Sequence, residues 1–350
     1  MTPQLNPDAI KKILIIQIRP FGDVLLNTPS LAALRRRLPR AQIDFLVRHP
    51  YQKVLNGNPH IDNCIVFGRT RPLLAWLDRL RLFWGVYRSA YDVVVDQIQG
   101  TTSAQVVLAS RAPSRIASSR VRLKRLYNIR VPCGPTRYAA AMKFDLLAPL
   151  GIRQGPLDFF YHIETASIDY AARWLNGRHL HNRPFVCVSP GSPRRHKKWR
   201  AECFARLCDL IMENSGLPVV LLWGPDEKED VTQVAAAMRR QPLTAPPTTY
   251  NQAAAFLKAG VMLICNDGGL YHLSVALKTP SLAIFGGTDP RKWSPADSKR
   301  HAFLFNAGVN AKQDDTFGVT PAAAYARAAS LLVCSPGDRI DDRRRAEALD

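Results

Sequence analysis

The chain has 350 residues, 47% hydrophobic and 22% charged, an ordinary globular profile with length for two domains. No apolar run reaches the roughly 18–20 residues that span a bilayer, and the polar start Met1-Thr2-Pro3-Gln4-Leu5-Asn6 has no secretory signal pattern. Lysine and arginine number 48 against 28 acidic residues, a formal net charge of +20, so the surface attracts polyanions: nucleic acid, anionic lipid or phosphorylated substrates.

Strand and helix patterns alternate from the start. Residues 12–18 (KILIIQI) form a short apolar run, read as a buried parallel strand. A glycine-containing loop follows, then a helical spacing over 24–38 and a strand over 41–47. The breaker Asn56-Gly57-Asn58-Pro59 precedes a third strand at 63–67. Residues 72–89 read as a helix, 91–96 as a strand, 101–111 as a helix, 115–117 as a short strand and 138–150 as a helix. Gly151, Gly155 and Pro156 then punctuate the chain, and a domain boundary is expected there, giving domains 1–160 and 161–334. The second half repeats the rhythm: helix 167–175, strand 184–189, helix 201–214, strand 218–223, helices 226–239 and 250–259, strand 261–265, helix 270–277, strand 280–285 and helix 320–332. Residues 335–350 are polar and arginine-rich and are expected to be a disordered tail. The whole is an α/β pattern of two doubly wound parallel sheets, with ligands expected at the carboxyl ends of the strands, in a cleft between the two domains. The seven cysteines are scattered without a C-x-x-C pair, which fits a reducing cytoplasm and neither a disulfide framework nor a zinc site.

Five loops leave the carboxyl ends of these strands with chemistry in them. The first is Arg19-Pro20-Phe21-Gly22-Asp23-Val24. Gly22 allows a tight turn, and Asp23 at the start of a helix is either an N-cap or a carboxylate general base. The second runs from Ser189 through Gly191, Ser192, Arg194, Arg195, His196, Lys197 and Lys198 to Trp199. Free backbone N–H groups and cationic side chains ahead of a helix suit a phosphate, although a solvated basic turn has the same composition. The third is Asn266-Asp267-Gly268-Gly269-Leu270-Tyr271-His272. Its glycines permit close approach to a pyrophosphate, but it lacks the G-x-G-x-x-G fingerprint, and His272 alone reads equally as a packed residue. The fourth is Gly286-Gly287-Thr288-Asp289-Pro290. The fifth is Trp223-Gly224-Pro225-Asp226-Glu227, whose Glu227 either accepts from a ribose or stabilises a helix start.

Together these segments resemble the lipopolysaccharide heptosyltransferase family, glycosyltransferase family 9, over residues 11–332. The resemblance rests on Gly22-Asp23-Val24, on Lys197-Lys198-Trp199 after the Pro190-Gly191-Ser192 turn, on Trp223 to Glu227, on Asn266 to Leu273 and on Phe285 to Pro290. It implies the GT-B fold, two Rossmann-like domains facing across a cleft, and transfer of a heptose from ADP-heptose to the lipopolysaccharide core with inversion. It further implies Asp23 as general base, Lys197 as the catalytic cation at the diphosphate, and a nucleotide-sugar site of Gly22, Ser189, Gly191, Ser192, Lys198, Glu227, Asp267, Gly268, Gly269, His272 and Thr288. Three departures stand out. Gly268 replaces a common Ser or Thr, Arg19-Pro20-Phe21 replaces small hydroxyl residues, and Lys198 adjoins Lys197, so that either could be the diphosphate lysine. No cofactor and no metal are expected, since the chain lacks the Asp-x-Asp motif of metal-dependent sugar transferases.

The family's acceptor, a phosphorylated lipid A and core oligosaccharide, accounts for the charge. It implies a cytoplasmic, monomeric enzyme, peripheral to the anionic inner membrane and without a nucleic-acid partner. Arg19, Arg120 and Arg122, the last two in the basic stretch 111–130, are candidate acceptor contacts. Residues 69–88 mix Arg69, Arg71, Arg79, Arg81 and Arg88 with Trp76, Phe83, Trp84 and Tyr87. They read either as an interfacial segment or as a crossover helix with its aromatics on the sheet. The rival readings are a nucleotide-sugar epimerase or hydrolase on the same architecture, a ligand-binding family member without catalysis, and a basic nucleic-acid-binding protein. The last lacks any zinc finger or RNA-recognition motif.

Overall fold

Ile13-Leu14-Ile15-Ile16 is apolar on both faces, which suits the centre of a parallel sheet, and there it lies. In the computed structural model, which describes residues 3–68, 75–295 and 298–333, β1 (Lys12–Ile16) pairs in parallel with β2 (Gln42–Arg48) on one side and β4 (Val93–Asp96) on the other. Adding β3 (Asn63–Phe67), β5 (Ser114–Ser118) and β6 (Ile129–Val131) gives the order β3-β2-β1-β4-β5-β6, every pairing parallel. The chain divides into two compact units, Met1–His162 and Ile163–Asp350. The second unit repeats the topology with β7 (Val186–Ser189), β8 (Val219–Leu221), β9 (Leu243–Thr244), β10 (Met262–Asn266), β11 (Ser281–Phe285) and β12 (His301–Phe305), ordered β12-β11-β10-β7-β8-β9. Each sheet starts centrally, grows to one side for three strands, then jumps back and grows to the other. That is the doubly wound α/β order, and the expected fold class holds.

Cores follow from the same patterning. In the second unit Val186, Val188, Ile264 and Ile284 from the sheet meet Phe204, Leu207 and Ile211 of α7 (Ala201–Ser215), all buried. In the first, Leu14, Leu46 and Val94 meet Leu82 and Val86 of α3 (Ala75–Ser89) and Val106 and Val107 of α4 (Thr101–Ser110).

The helical spacing over 24–38 resolves into α1 (Phe21–Leu25) and α2 (Thr28–Arg37). Pro29 is the reason: without an N–H it is accommodated only in a first helical turn, so the chain restarts there. Residues 138–150 likewise divide into α5 (Ala139–Met142) and a 3-10 segment, Asp145–Leu150, that contains Pro149. Strands β6, β9 and β12 and the turn of helix α11 (Pro290–Trp293) were not expected. The expected tail at 335–350, and Arg69 and Arg71, lie outside the described residues.

One buried base in this framework makes stability pH-dependent. His301 is buried on β12 with Nδ1 2.8 Å from Ser281 Oγ, and burial, reinforced by Arg300, lowers its pKa from 6.5 to about 4. The unfolded chain therefore holds a proton there that the folded chain refuses. The stability this contributes is complete above about pH 6.5 and is lost as pH falls toward 4. Urea unfolding should show about 2–3 kcal/mol less stability at about pH 4.5 than at pH 7 from this group, and His301→Asn should flatten the profile by that amount.

Candidate functional site

In a doubly wound sheet the strand order reverses at one place, where two neighbouring loops diverge and leave a crevice at the carboxyl ends. In the first unit that place lies between β1 and β4. The loop after β1 enters α1, and Asp23 is the third residue of that helix, not its cap: the N-cap is Pro20 and no side chain caps the turn. The capping role open to Asp23 in the sequence is thus not the one it has. Its Oδ1 lies 3.8 Å from Lys143 Nζ, with both side chains largely shielded. Lys143 follows α5, and its carbonyl accepts a 3.2 Å hydrogen bond from Gln97 Nε2, immediately after β4. Asn27 Nδ2 donates to the Asp23 carbonyl at 2.9 Å and secures the short helix. The loop after β1, the loop after β4 and the segment after α5 are thus linked at the switch point.

Around this centre, Gly22 is buried within α1 and Arg19 is exposed ahead of it. Arg120 and Arg122 are exposed on the loop leaving β5, at the same carboxyl edge. The end of β4 is held by Asp96, which accepts from Tyr127 Oη at 2.6 Å and from the Ile98 and Gln99 N–H groups at 2.8 Å. Burial raises the Asp96 carboxyl above its usual range, opposed by those hydrogen bonds.

In the second unit the reversal lies between β7 and β10, and the four sequence-predicted loops leave the adjacent strands β11, β10, β7 and β8. Asn266, the last residue of β10, joins the two central ones: its Oδ1 accepts from the Trp199 N–H at 3.0 Å and its Nδ2 donates to the Pro190 carbonyl at 2.7 Å. Trp199 is itself buried, with its indole N–H given to the Thr316 carbonyl. These bonds fix the basic loop over the glycine-rich one. Lys197 Nζ then meets Asp267 Oδ2 at 2.5 Å, and Thr288 Oγ1 donates to the same oxygen at 2.5 Å. Gly286 and Gly287 let the Thr288 loop approach. The Gly287 N–H donates to the His196 carbonyl, and a Cβ on Gly286 would stand 2.6 Å from that carbonyl oxygen.

Lys198 points elsewhere, to Asp230 Oδ1 at 2.7 Å in α8 (Lys228–Ala237). Glu227 is the N-cap residue of α8 and accepts from the Gly224 N–H at 2.8 Å. Burial raises its carboxyl above the ordinary range, against the pull of that N–H. It occupies the space beside Gly191, where a Cβ would stand 2.3 Å from the Glu227 Cδ. Ser189 and Ser192 are buried around the same turn. Gly268 is the extended N-cap of α10 (Gly269–Ala276), and a Cβ there would meet only the Asn266 carbonyl oxygen, at 3.9 Å, so a hydroxyl side chain would fit. His272 is buried one turn into α10 with its ring 5.8 Å from the Trp293 ring.

Lys143, Gln97 and Asp230 are the residues of these sites that sequence reasoning did not single out. Asn266 stood at the head of the third loop, but without the joining role it has here. Among the described residues no group of three His, Cys, Asp or Glu side chains could hold a metal ion.

Solved structures share this fold. The glycosyl transferase family 9 protein of Veillonella parvula DSM 2008 matches with a TM-score of 0.83 at 21% identity, covering 96% of this chain and 100% of that one. The E. coli ADP-heptose lps heptosyltransferase II matches with a TM-score of 0.75 at 21% identity, covering 92% and 98%. The fold class is accordingly that of the GT-B glycosyltransferases. The sequence profile of glycosyltransferase family 9 (heptosyltransferase) matches residues 79–318, and the chain belongs to that family. Lipopolysaccharide heptosyltransferase 3 of E. coli K12 is 24% identical over 298 residues, 79% of this chain and 83% of that protein. The protein is a glycosyltransferase, and the resemblance seen in the motifs holds.

Proposed function

We propose that the protein transfers a heptose from ADP-heptose to the lipopolysaccharide core, with inversion, at the inner face of the cytoplasmic membrane. The observation that carries this reading is the Lys197, Asp267 and Thr288 cluster at the switch point of the second sheet, in a family 9 chain. An acceptor hydroxyl attacks the anomeric carbon and its proton passes to the Asp23 carboxylate. The bond from that carbon to the diphosphate oxygen breaks, and ADP leaves with the electron pair. The sugar passes through an oxocarbenium-like state, and the Lys197 ammonium balances the charge growing on the diphosphate. Gly268, Gly269 and the start of α10 offer backbone N–H groups to the same phosphates. Ser189, Gly191, Ser192 and Glu227 receive the nucleoside, Glu227 accepting from ribose hydroxyls, while His272 lines the sugar side. Lys143 positions Asp23, and Arg19, Arg120 and Arg122 take acceptor phosphates.

Binding measured by calorimetry across ADP-, UDP- and GDP-sugars tests the donor assignment. ADP-sugars should bind best, and preference for another nucleotide would overturn it. Gly191→Ala drives its Cβ into Glu227, so ADP affinity should fall about tenfold, the scale of one lost charge-assisted hydrogen bond. Because Lys197 supplies the countercharge, turnover should persist in excess EDTA, and complete loss of activity would contradict the metal-independent route.

A further inference from the structure

The sequence left two roles for the aromatic helix, and its side chains separate them. Leu82 and Val86 are the residues of α3 buried among sheet and α4 side chains. Trp76 and Trp84 are instead 59% and 61% exposed, and Leu80 and Tyr87 lie open beside them. At about 100° per residue these four side chains, with Phe83, fall on one face. Arg81 and Arg88 flank it on one side and Arg79 on the other, all exposed. Leu108 of α4, 67% exposed, continues the apolar surface across a groove lined by Leu80, Phe83, Trp84 and Tyr87. Arg111 closes that groove with its guanidinium 5.1 Å above the Tyr87 ring, and the Trp84 and Tyr87 rings stand 5.8 Å apart. Asp78 is the one acidic residue of α3, and α4 has none.

A contiguous patch of large exposed apolar side chains on a soluble surface marks a contact. Its composition narrows the partner. Indole and phenol rings favour the headgroup level of a bilayer, where their apolar bodies and polar tips are both satisfied, and the flanking guanidinium groups match lipid phosphates. No helix among the described residues is long and apolar enough to cross a membrane. We infer that the α3–α4 face is a docking surface for an anionic lipid bilayer, with Trp76, Leu80, Trp84, Tyr87 and Leu108 entering the interface and Arg79, Arg81, Arg88 and Arg111 engaging phosphates. The purpose of such a surface, reaching a lipid-anchored acceptor, rests on the proposed function, but its lipid binding does not.

Sedimentation of the full chain with vesicles tests this, comparing phosphatidylcholine alone with phosphatidylcholine mixed with phosphatidylglycerol. Wild type should bind the mixed vesicles with a blue shift in tryptophan emission and weaken as salt rises. The exposed pair Trp76→Ala/Trp84→Ala should require at least about tenfold more lipid, with an unchanged melting temperature and unchanged turnover on a water-soluble, deacylated acceptor. Arg81→Gln/Arg88→Gln should weaken binding to the anionic vesicles alone. Equal binding by wild type and the tryptophan variant overturns the inference. So does equal binding to both vesicle types, or a wild-type dimer in sedimentation velocity that the tryptophan variant dissolves, since that would assign the face to a second copy. Vesicle binding as expected without any sugar transfer would instead sink the proposed function and leave the docking surface standing.

Discussion

Asp23→Asn should lower kcat by about 10³-fold while the affinity for ADP stays at the wild-type value, the result expected if Asp23 is the proposed base. The asymmetry follows from where the groups sit: Asp23 belongs to the first unit, whereas the groups proposed to hold the nucleotide belong, except for Gly22, to the second. Asparagine keeps the shape and cannot take the acceptor proton, so the loss falls on turnover and not on nucleotide binding. The carboxylate caps no helix and its ion pair with Lys143 is long, at 3.8 Å, so the variant should melt within about 3 °C of wild type. Lys143→Met retains the proposed base but frees its orientation, and a smaller loss in kcat, about tenfold, is expected. Asp23 lies outside the span matched by the family profile, residues 79–318, so these kinetics bear directly on a role that family membership alone does not assign.

Lys197→Met should cost about 10²- to 10³-fold in kcat/KM, and Lys198→Met less than about threefold. The two lysines are adjacent in sequence, yet they are committed to different carboxylates. Lys197 reaches the nearly inaccessible Asp267, which also takes the Thr288 hydroxyl, while Lys198 reaches Asp230 on α8 and is more than a third exposed. Removing Lys197 also leaves Asp267 without its countercharge, a loss of stability of about 3–5 kcal/mol in a shielded site. Activity therefore has to be read against the melting temperature. Asp267→Asn/Lys197→Met restores neutrality, so the melting temperature of this pair separates the stability lost with the charge pair from the loss of turnover. The account predicts recovery of stability alone. Equal losses at Lys197 and Lys198 would place the diphosphate elsewhere.

Much of this fold is legible in the sequence. Strands such as β1, β7 and β10 are continuous apolar runs because a parallel sheet buries both their faces, and the glycine- and charge-bearing loops stand directly after them. The doubly wound parallel architecture follows from that alternation, whereas the strand order is seen only in the fold. What escaped were β6, β9 and β12, all at the ends of the two sheets, where one-sided pairing demands little of the sequence, and the first two only three and two residues long. The apolar spacing of 24–38 continues across Asn27-Thr28-Pro29, and only the proline marked the restart. Lys143 and Gln97 could not be found, because one lysine in a chain with 48 basic residues acquires meaning only when α5 returns it to the Asp23 loop. In α3 both faces are apolar, so periodicity alone could not tell that Leu82 and Val86 face inward and the tryptophans outward.

The most direct test of the central claim is product analysis after incubating the protein with ADP-heptose and a heptose-acceptor core oligosaccharide. The account predicts one added heptose in a new glycosidic linkage whose anomeric configuration, read by NMR, is opposite to that of the donor. Release of free heptose without transfer, or a linkage that retains the donor's configuration, would contradict it.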